Sequence, residues 1–432
     1  MTPYVDGLGA DAAAPDPDDK PRSFLDSDKH AALLAKLENW WSEARDAHMD
    51  NRREQMIDAD YVDMIQWRAD EAAVLQERGQ APLNSALLKQ MVDWVTGTER
   101  RTRIDWDVLP RKDGDVEIAN TKKQVLKWVS DVNGSPWERS RQFWDETTVG
   151  VGWIEDCFNN DRFEEGITNR HQDWKEMWWD PYSRSNVLRD CRYLHRAKFL
   201  DLDYAIAMMP DRADELTRRA ANTIDASMEI AALDDGLPMM FYGLTPQSAN
   251  RGGITAFGTV SSELVVRHPR KRLLVVETWF KKAENVPMLM GDGPDDTGFG
   301  GRRFDPQNVG HQHALANGAL SLVDGVSEDM WVALWTPGAL LRVNRSPYKH
   351  NKFPFTPAWA SRRHRDGMPY GIVRQSRDAI DELNKRRSKI LFELSTNQLF
   401  YESDAWDQVD EAQNLEESKR PDGEIRLAAG GL

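Results

Sequence analysis

The stretch SPYKHNKFPFTPAWASRRHRDGMPYGIVRQSRDAIDELNKRRSKILFELSTNQLF, residues 346–400, passes from a breaker-rich segment into a long amphipathic pattern. Pro347, Pro354 and Pro357 exclude helix around themselves and favour extended backbone before them. Asp366-Gly367 is a turn signal, and Pro369 is a further breaker. From about Gly371 to about Leu399 the apolar residues Ile372, Val373, Ile380, Leu383, Ile390, Leu391 and Leu394 recur at helical spacing among mixed charges. At ~1.5 Å per residue such a helix spans roughly 40 Å, well beyond the usual length of about a dozen residues. A rod of that length behind an extended segment predicts a load-carrying strut rather than one wall of a small enzyme.

The same stretch holds the candidate contact residues. Arg345–Arg365 carries six Lys or Arg and no carboxylate, with Tyr348, Phe353, Phe355 and Trp359 interleaved. Lys349, Lys352, Arg362, Arg363 and Arg365 flank the start of the helix, and Arg374 and Arg377 follow on the helix itself. These seven are the candidates for contact with an anionic partner; pairing with carboxylates is the alternative. After Phe400 the sign reverses, and residues 401–424 hold nine Asp or Glu against two basic residues.

The chain has 432 residues, enough for about three domains and a real core. Its net charge is −15, which argues against tight, sequence-specific DNA binding, a function with a basic footprint. Cys157 and Cys191 make no disulfide framework and read as buried free thiols. The N-terminus has no basic and apolar leader pattern, and no apolar run approaches the ~20 residues of a membrane span. Seventeen tryptophans are many for this length. They suit large-area anchors in cores and subunit interfaces; exposed stacking platforms for sugar are the competing use.

Residues 1–29 read as a loosely held acidic tail. Helices are predicted at about 30–58, 83–97, 116–132 and 136–148, the second closing at Gly97. Leu202–Ala221 reads as one or two helices broken near Pro210, and 311–323 as a further helix. Strands are predicted around Ile104–Val108, Trp153–Phe158, Trp174–Trp179, Leu273–Phe280, Met330–Trp335 and Ala339–Val343. Residues 222–259 read as a surface excursion, and the Gly/Asp-rich 291–301 as a mobile loop without calcium-loop spacing.

No constellation for chemistry emerges. Gly150 and Gly152 lack the Lys and third Gly of a phosphate loop and read as close-packing residues. Asp180 and Asp190 form no fixed acid/base pair, and His311 and His313 lack a third ligand at zinc spacing. The carboxylates of DADYVDMIQW, residues 58–67, are expected to be solvated or capping rather than metal-binding. Arg100, Arg101 and Arg103 are expected to pair with nearby carboxylates. The sequence therefore predicts no catalytic site, cofactor or metal.

A family resemblance runs through these segments. SPYKHNKFPFTP followed by DGMPYGIVRQSRDAIDELNKRRSK resembles the P22-like family of bacteriophage portal proteins, ring-shaped channels at one vertex of a viral head. DADYVDMIQW, TERRTRIDWDVLPRKDGD (98–115), VGVGWIEDCF (149–158) and WKEMWWDPYSRSNVLRDCRYLHRAKFLDLD (174–203) are similar to that family in the same order. The resemblance covers roughly Tyr61 to Phe400. It implies an α+β subunit with a helix-rich wing over 30–270, a small α/β clip within 271–365 and a stem helix over 366–400. Residues 401–432 would form an acidic tunnel segment, with the family's helical crown absent or not included.

The same resemblance implies a homo-oligomeric ring of twelve copies around double-stranded DNA. Its implied partners are the terminase large subunit, head-completion, adaptor or tail proteins, and the major capsid protein. Its implied place is the portal vertex of the virion, reached from the host cytoplasm, without membrane. The competing readings are another ring-forming virion adaptor or scaffold, and a Trp-rich acidic polysaccharide hydrolase.

Overall fold

The computed structural model describes residues 28–103, 107–159, 166–226, 254–255, 258–259, 272–291, 299–318, 320–395 and 411–417. Its first helices are α1 (Asp28–Val62), α2 (Ala69–Glu77), α3 (Leu87–Arg101), α4 (Val116–Val132) and α5 (Ser135–Val149). Strands β1 (Val151–Phe158), β2 (Ile167–Gln172), β3 (Met177–Trp179) and β4 (Tyr193–Asp201) follow, then α6 (Leu202–Met208) and α7 (Ala213–Ala226). The short pair β5 (Ile254–Thr255) and β6 (Gly258–Thr259) precedes β7 (Arg272–Met290), α8 (Val309–Ala316), β8 (Ser321–Thr336) and β9 (Ala339–Arg345). The chain continues through β10 (Phe355–Trp359), β11 (Ser361–Arg362), β12 (Pro369–Tyr370), α9 (Ile372–Ser395) and α10 (Glu411–Glu417).

Two compact units result. The first takes the described residues up to Gln55, those from Thr96 to Ala226 and those from Arg272 to Gly371. The second takes Met56–Val95, the β5–β6 pair, α9 and α10.

The first unit is built on an antiparallel five-stranded sheet in the order β3-β4-β7-β8-β9. The run LLVVETWF is apolar almost throughout because both faces of β7 are covered here. On one face, Phe280 of β7 and Tyr193 and His195 of β4 meet α1. Trp40 stacks on Tyr193 at 5.0 Å, and Trp41 meets the edges of His195 and Trp335. On the other face, Leu273 and Val275 join Ala205, Leu216 and Ala220 of α6 and α7 in one cluster.

Farther along that second face lies a three-stranded antiparallel sheet, β10-β1-β2. Arg196 joins the two sheets. It sits directly across from Glu277 in the β4–β7 register, is 6% exposed, and pairs with Glu277 and with Glu155 of β1, the latter at 2.8 Å. The outer face of the small sheet carries α5, where Asp145 meets His171 at 2.6 Å. Gly152 permits this approach, since a Cβ there would lie 2.0 Å from the Gln142 carbonyl oxygen. Gly150 (φ +96°) and Gly371 abut the backbones of Tyr370 and Thr148 in the same way. The close-packing role expected of Gly150 and Gly152 is what they fill.

The α1 helix is anchored by Arg52, buried at 1% exposure. Its guanidinium donates to the carbonyl oxygens of Trp174 and Met177 and lies 4.8 Å from the Trp178 ring centroid. Burial lowers its pKa to about 9. The π faces and carbonyl dipoles stand in for a carboxylate there. Cys191 is a buried free thiol pushed up to about 12 by burial, and Cys157 is free and half-buried.

Several sequence expectations are corrected. The β7 strand runs 19 residues, past Phe280 to Met290, and pairs with β8 from Val276↔Trp335 to Met290↔Ser321. At ~3.3 Å per residue it is roughly 60 Å long. Its outer half is a two-stranded ribbon, so the polar residues after Phe280 do not end it. The expected helix 311–323 stops at Ala316, because Asn317 and Gly318 (φ +68°) close it, and strand begins at Ser321. The expected end at Gly97 is passed, and α3 continues to Arg101; mid-helix Gly costs only about 1 kcal/mol against Ala, and Arg100 and Arg101 suit a helix C-terminus. Trp174–Glu176 is a 3-10 turn capped by Asp173, and only Met177–Trp179 is strand. Val108 belongs to no strand, and Ile104 to Trp106 lie outside the described residues.

The breaks around Pro210 and the helix over 116–132 match the sequence reading. The large sheet takes strands from both sides of residue 270, so its limits do not coincide with a wing–clip boundary drawn there. The acidic tail up to residue 27, the excursion apart from its first residues and the β5–β6 pair, and most of 291–301 and 401–432 lie outside the described residues.

Replacing Arg196 by Leu leaves Glu155 and Glu277 buried without their cation. Breaking a buried pair this way costs about 3–5 kcal/mol, and urea unfolding of the variant is expected to show that loss. A second measurement concerns His48 and His195, both buried, whose pKa values burial lowers to about 3. The unfolded chain then takes up protons first, so stability is full above about pH 6.5 and falls as pH drops from there toward 3, by up to ~1.4 kcal/mol per pH unit for each imidazole. His195→Asn should flatten that fall; an unchanged slope would contradict it.

Candidate functional site

The seven candidate cations separate into held and exposed groups. In the first unit, β10, β11 and β12 carry the Pro/aromatic segment. Arg362 of β11 donates Nε to the Gly367 carbonyl at 2.8 Å, and its terminal nitrogens donate to the carbonyls of Arg184 and Ser183 at 3.1 and 3.0 Å. Its guanidinium lies 4.5 Å from the Trp359 ring centroid. Burial, and then the neighbouring Arg184, lower its pKa. Arg362 is thus a fastener between the 183–190 loop and the β11–β12 turn.

Arg363 and Arg365 both engage Asp366, Arg363 at 2.8 Å and Arg365 at 3.5 Å. The carboxylate one residue beyond the basic run therefore neutralises part of it. Partial burial raises the Asp366 pKa, but the Met368 N–H, Arg363 and Arg365 outweigh it and hold the net value low. Arg365 still stands 84% exposed at its side chain. Lys349 and Lys352 are exposed, next to a stack in which Tyr348 lies 5.2 Å from His350 and 5.8 Å from Trp279.

In the second unit, Arg374 and Arg377 of α9 converge on Asp58 of α1, at 2.8 and 3.3 Å. The Asp58 side chain is 0% exposed and those of both arginines 16%. Asp58 and Asp60 are buried, where the sequence reading expected solvated or capping carboxylates. The rest of the DADYVDMIQW segment docks α9 as well. Tyr61 donates to Asp381, and Gln66 accepts from Asn384 at 2.8 Å and from the Ser85 N–H at 2.9 Å. Ser388 accepts from the Leu83 N–H at 3.1 Å. The signal for this was present in the sequence: Asn384 and Ser388 fall in register with Val373 and Ile380, on the face expected to be apolar.

Asp180 and Asp190 are occupied by local backbone. Asp180 accepts from the N–H groups of Tyr182 and Arg192, and Asp190 from Ser183 Oγ and the N–H groups of Arg184 and Ser185. They pin the 180–192 turns. His311 is buried and His313 lies on α8; among the described residues no group of three or more His, Cys, Asp or Glu could hold a metal. Arg103 packs 4.7 Å from the Trp137 ring and reaches Ser140, which donates to Glu99. No described helix is long and apolar enough to cross a membrane.

Among the described tryptophans, Trp94, Trp128 and Trp137 are exposed, one on each of α3, α4 and α5; the others are buried or half-buried.

These features define an α+β protein whose singled-out polar groups mostly fasten backbone. The family model described as phage P22-like portal protein matches residues 38–430, and the chain belongs to that family of phage portal proteins. Among curated proteins none matches the chain.

Asp58→Asn should expose the difference between the two groups of cations. It leaves two half-compensated guanidiniums in a buried site and is expected to cost about 3–5 kcal/mol. Lys349→Gln, on the surface, should change stability by less than about 0.5 kcal/mol. Thermal unfolding of both variants checks this.

Proposed function

We propose that the chain is the subunit of a ring-shaped channel, of twelve copies, at one capsid vertex. Double-stranded DNA passes through it during packaging and ejection. The observation carrying this reading is the family match over nearly the whole chain. The physical properties are compatible with it. A ring that bound phosphate through dozens of fixed cations would release many counterions on contact and grip the DNA. A chain of net charge −15 with local basic patches keeps such contacts few.

The wing, clip and stem assignments of 30–270, 271–365 and 366–400 belong to this proposal. The 24-residue α9 is the stem element. The outer half of the β7–β8 ribbon, with its small core of Leu289, Ala314 and Leu320, is the docking end for the terminase large subunit and later for head-completion or tail proteins. Met290, Leu322, Val323 and Val326 are exposed there. Of the basic collar, Lys349, Lys352, Arg363 and Arg365 are the exposed members that would touch DNA phosphate or an acidic partner. Arg362, Arg374 and Arg377 would hold the collar's supports.

For contact between copies, α4 is the best-suited described surface. Ile118, Val125 and Val132 are exposed at seven-residue spacing, with Trp128 between the last two. Beside them Val108, Thr121, Lys122, Val125 and Leu126 line a shallow, open hollow. This is the seam of a helix that packs against another surface, and in a ring that surface is the next copy.

Negative-stain images of purified protein should show rings with a central hole. Val125→Glu with Trp128→Ala should leave folded monomers, since truncating an interface anchor costs upward of ~2 kcal/mol per contact. Absence of rings in the parent protein would refute the channel; rings persisting in the variant would refute this seam.

A further inference from the structure

The α9 surface opposite its packed face carries charges in an unusual order. Val373, Ile380, Asn384 and Ser388 form the packed stripe. On the other side Gln375, Ala379, Glu382, Arg386, Lys389 and Glu393 follow one another at steps of three and four residues, all exposed. Glu382 pairs with Arg386, and Lys389 pairs with Glu393 at 3.5 Å. The side chains are 60–72% exposed. Lys385, on the flank, pairs with Glu71 at 3.3 Å. The outward stripe is therefore a ladder of ion pairs with no net charge.

We propose that this ladder is the sliding surface for double-stranded DNA, in which Arg386 and Lys389 exchange their helical carboxylates for backbone phosphates and return to them as the duplex moves on. The inference rests on the portal reading. Exposed i,i+4 pairs are weak and screened by salt, so a passing phosphate can displace the carboxylate. A guanidinium meets phosphate as readily as carboxylate, through the same two-point geometry. Each contact formed is offset by one pair broken, so grip stays low even with many copies around the duplex. The two pairs are unequal. Glu382 lies N-terminal to Arg386, the favourable order, whereas Lys389 lies N-terminal to Glu393, the weaker one; Lys389 is the cation released first. Arg374 and Arg377, fixed to buried Asp58, cannot exchange in this way.

The test removes the competitor rather than the cation. Glu382→Gln with Glu393→Gln leaves Arg386 and Lys389 without carboxylates. Purified rings of this variant should bind a random-sequence duplex about tenfold tighter at low salt, with a log–log salt slope steeper by about 1–2, one increment per added phosphate contact. Arg386→Gln with Lys389→Gln should weaken binding and flatten the slope. Glu393→Gln alone should have a larger effect than Glu382→Gln alone. Unchanged DNA binding in both double variants, with rings intact in negative stain, would overturn the ladder and leave the channel standing. Loss of rings in the cation-removed variant would assign the stripe to contact between copies and overturn the ladder equally. Absence of rings in the parent protein is the separate result that removes the portal reading beneath it.

Discussion

A single guanidinium, that of Arg196, sets the spacing of the two sheets in the first unit. It lies where an apolar core would otherwise continue, with Glu277 beside it, Glu155 across from it and the Phe355 ring 5.3 Å away. A buried ion pair is weak evidence for net stability, because desolvation opposes attraction. Its value here is directional. The small sheet cannot slide along the large one without separating Glu155 from Arg196. Gln172 and Trp279 hold the two carboxylates in turn, donating at 2.8 Å each.

The second unit solves a similar problem with neutral polar groups. The packed stripe of α9 includes Asn384 and Ser388, which meet Gln66 and the Leu83 N–H, and Asp58 closes the arrangement. An amphipathic helix on a purely apolar groove can shift by a turn at modest cost. Hydrogen bonds with fixed partners remove that freedom, as a single polar residue fixes register in a coiled coil.

How much was legible in the sequence follows from where burial and polarity agree. The periodicity of α4 and α9 and the breaker at Pro210 could be read because local pattern and tertiary role coincide there. The β4 strand, YLHRAKFLD, could not, because His195 and Arg196 sit at buried positions and scramble the alternation; only partners far along the chain make them acceptable. The outer ribbon of β7 and β8 was hidden for the opposite reason, since its two faces are largely exposed and its sequence resembles a loop. Among the candidate cations, charge was visible but partnership was not. Asp366 lay one residue beyond the run that seemed free of carboxylates, and Asp58 lay some three hundred residues from Arg374.

The β7–β8 ribbon has a mechanical consequence. Its inner half is held between β4 and β9, while its outer half has its own pairing, a short backbone bridge from Pro287–Leu289 to residues 301–304 and the small core around Leu289. It is a cantilever with a built-in root. Bending strain on such a beam concentrates near the root, at the exposed Lys282–Glu284 segment, and not at the tip. Force along the strands loads the cross-strand hydrogen bonds together, in shear. Force across them opens the bonds one after another, as a zipper does. The same ribbon is therefore stiff to a load applied along its axis and compliant to one applied sideways, so that it can transmit thrust while tolerating misalignment.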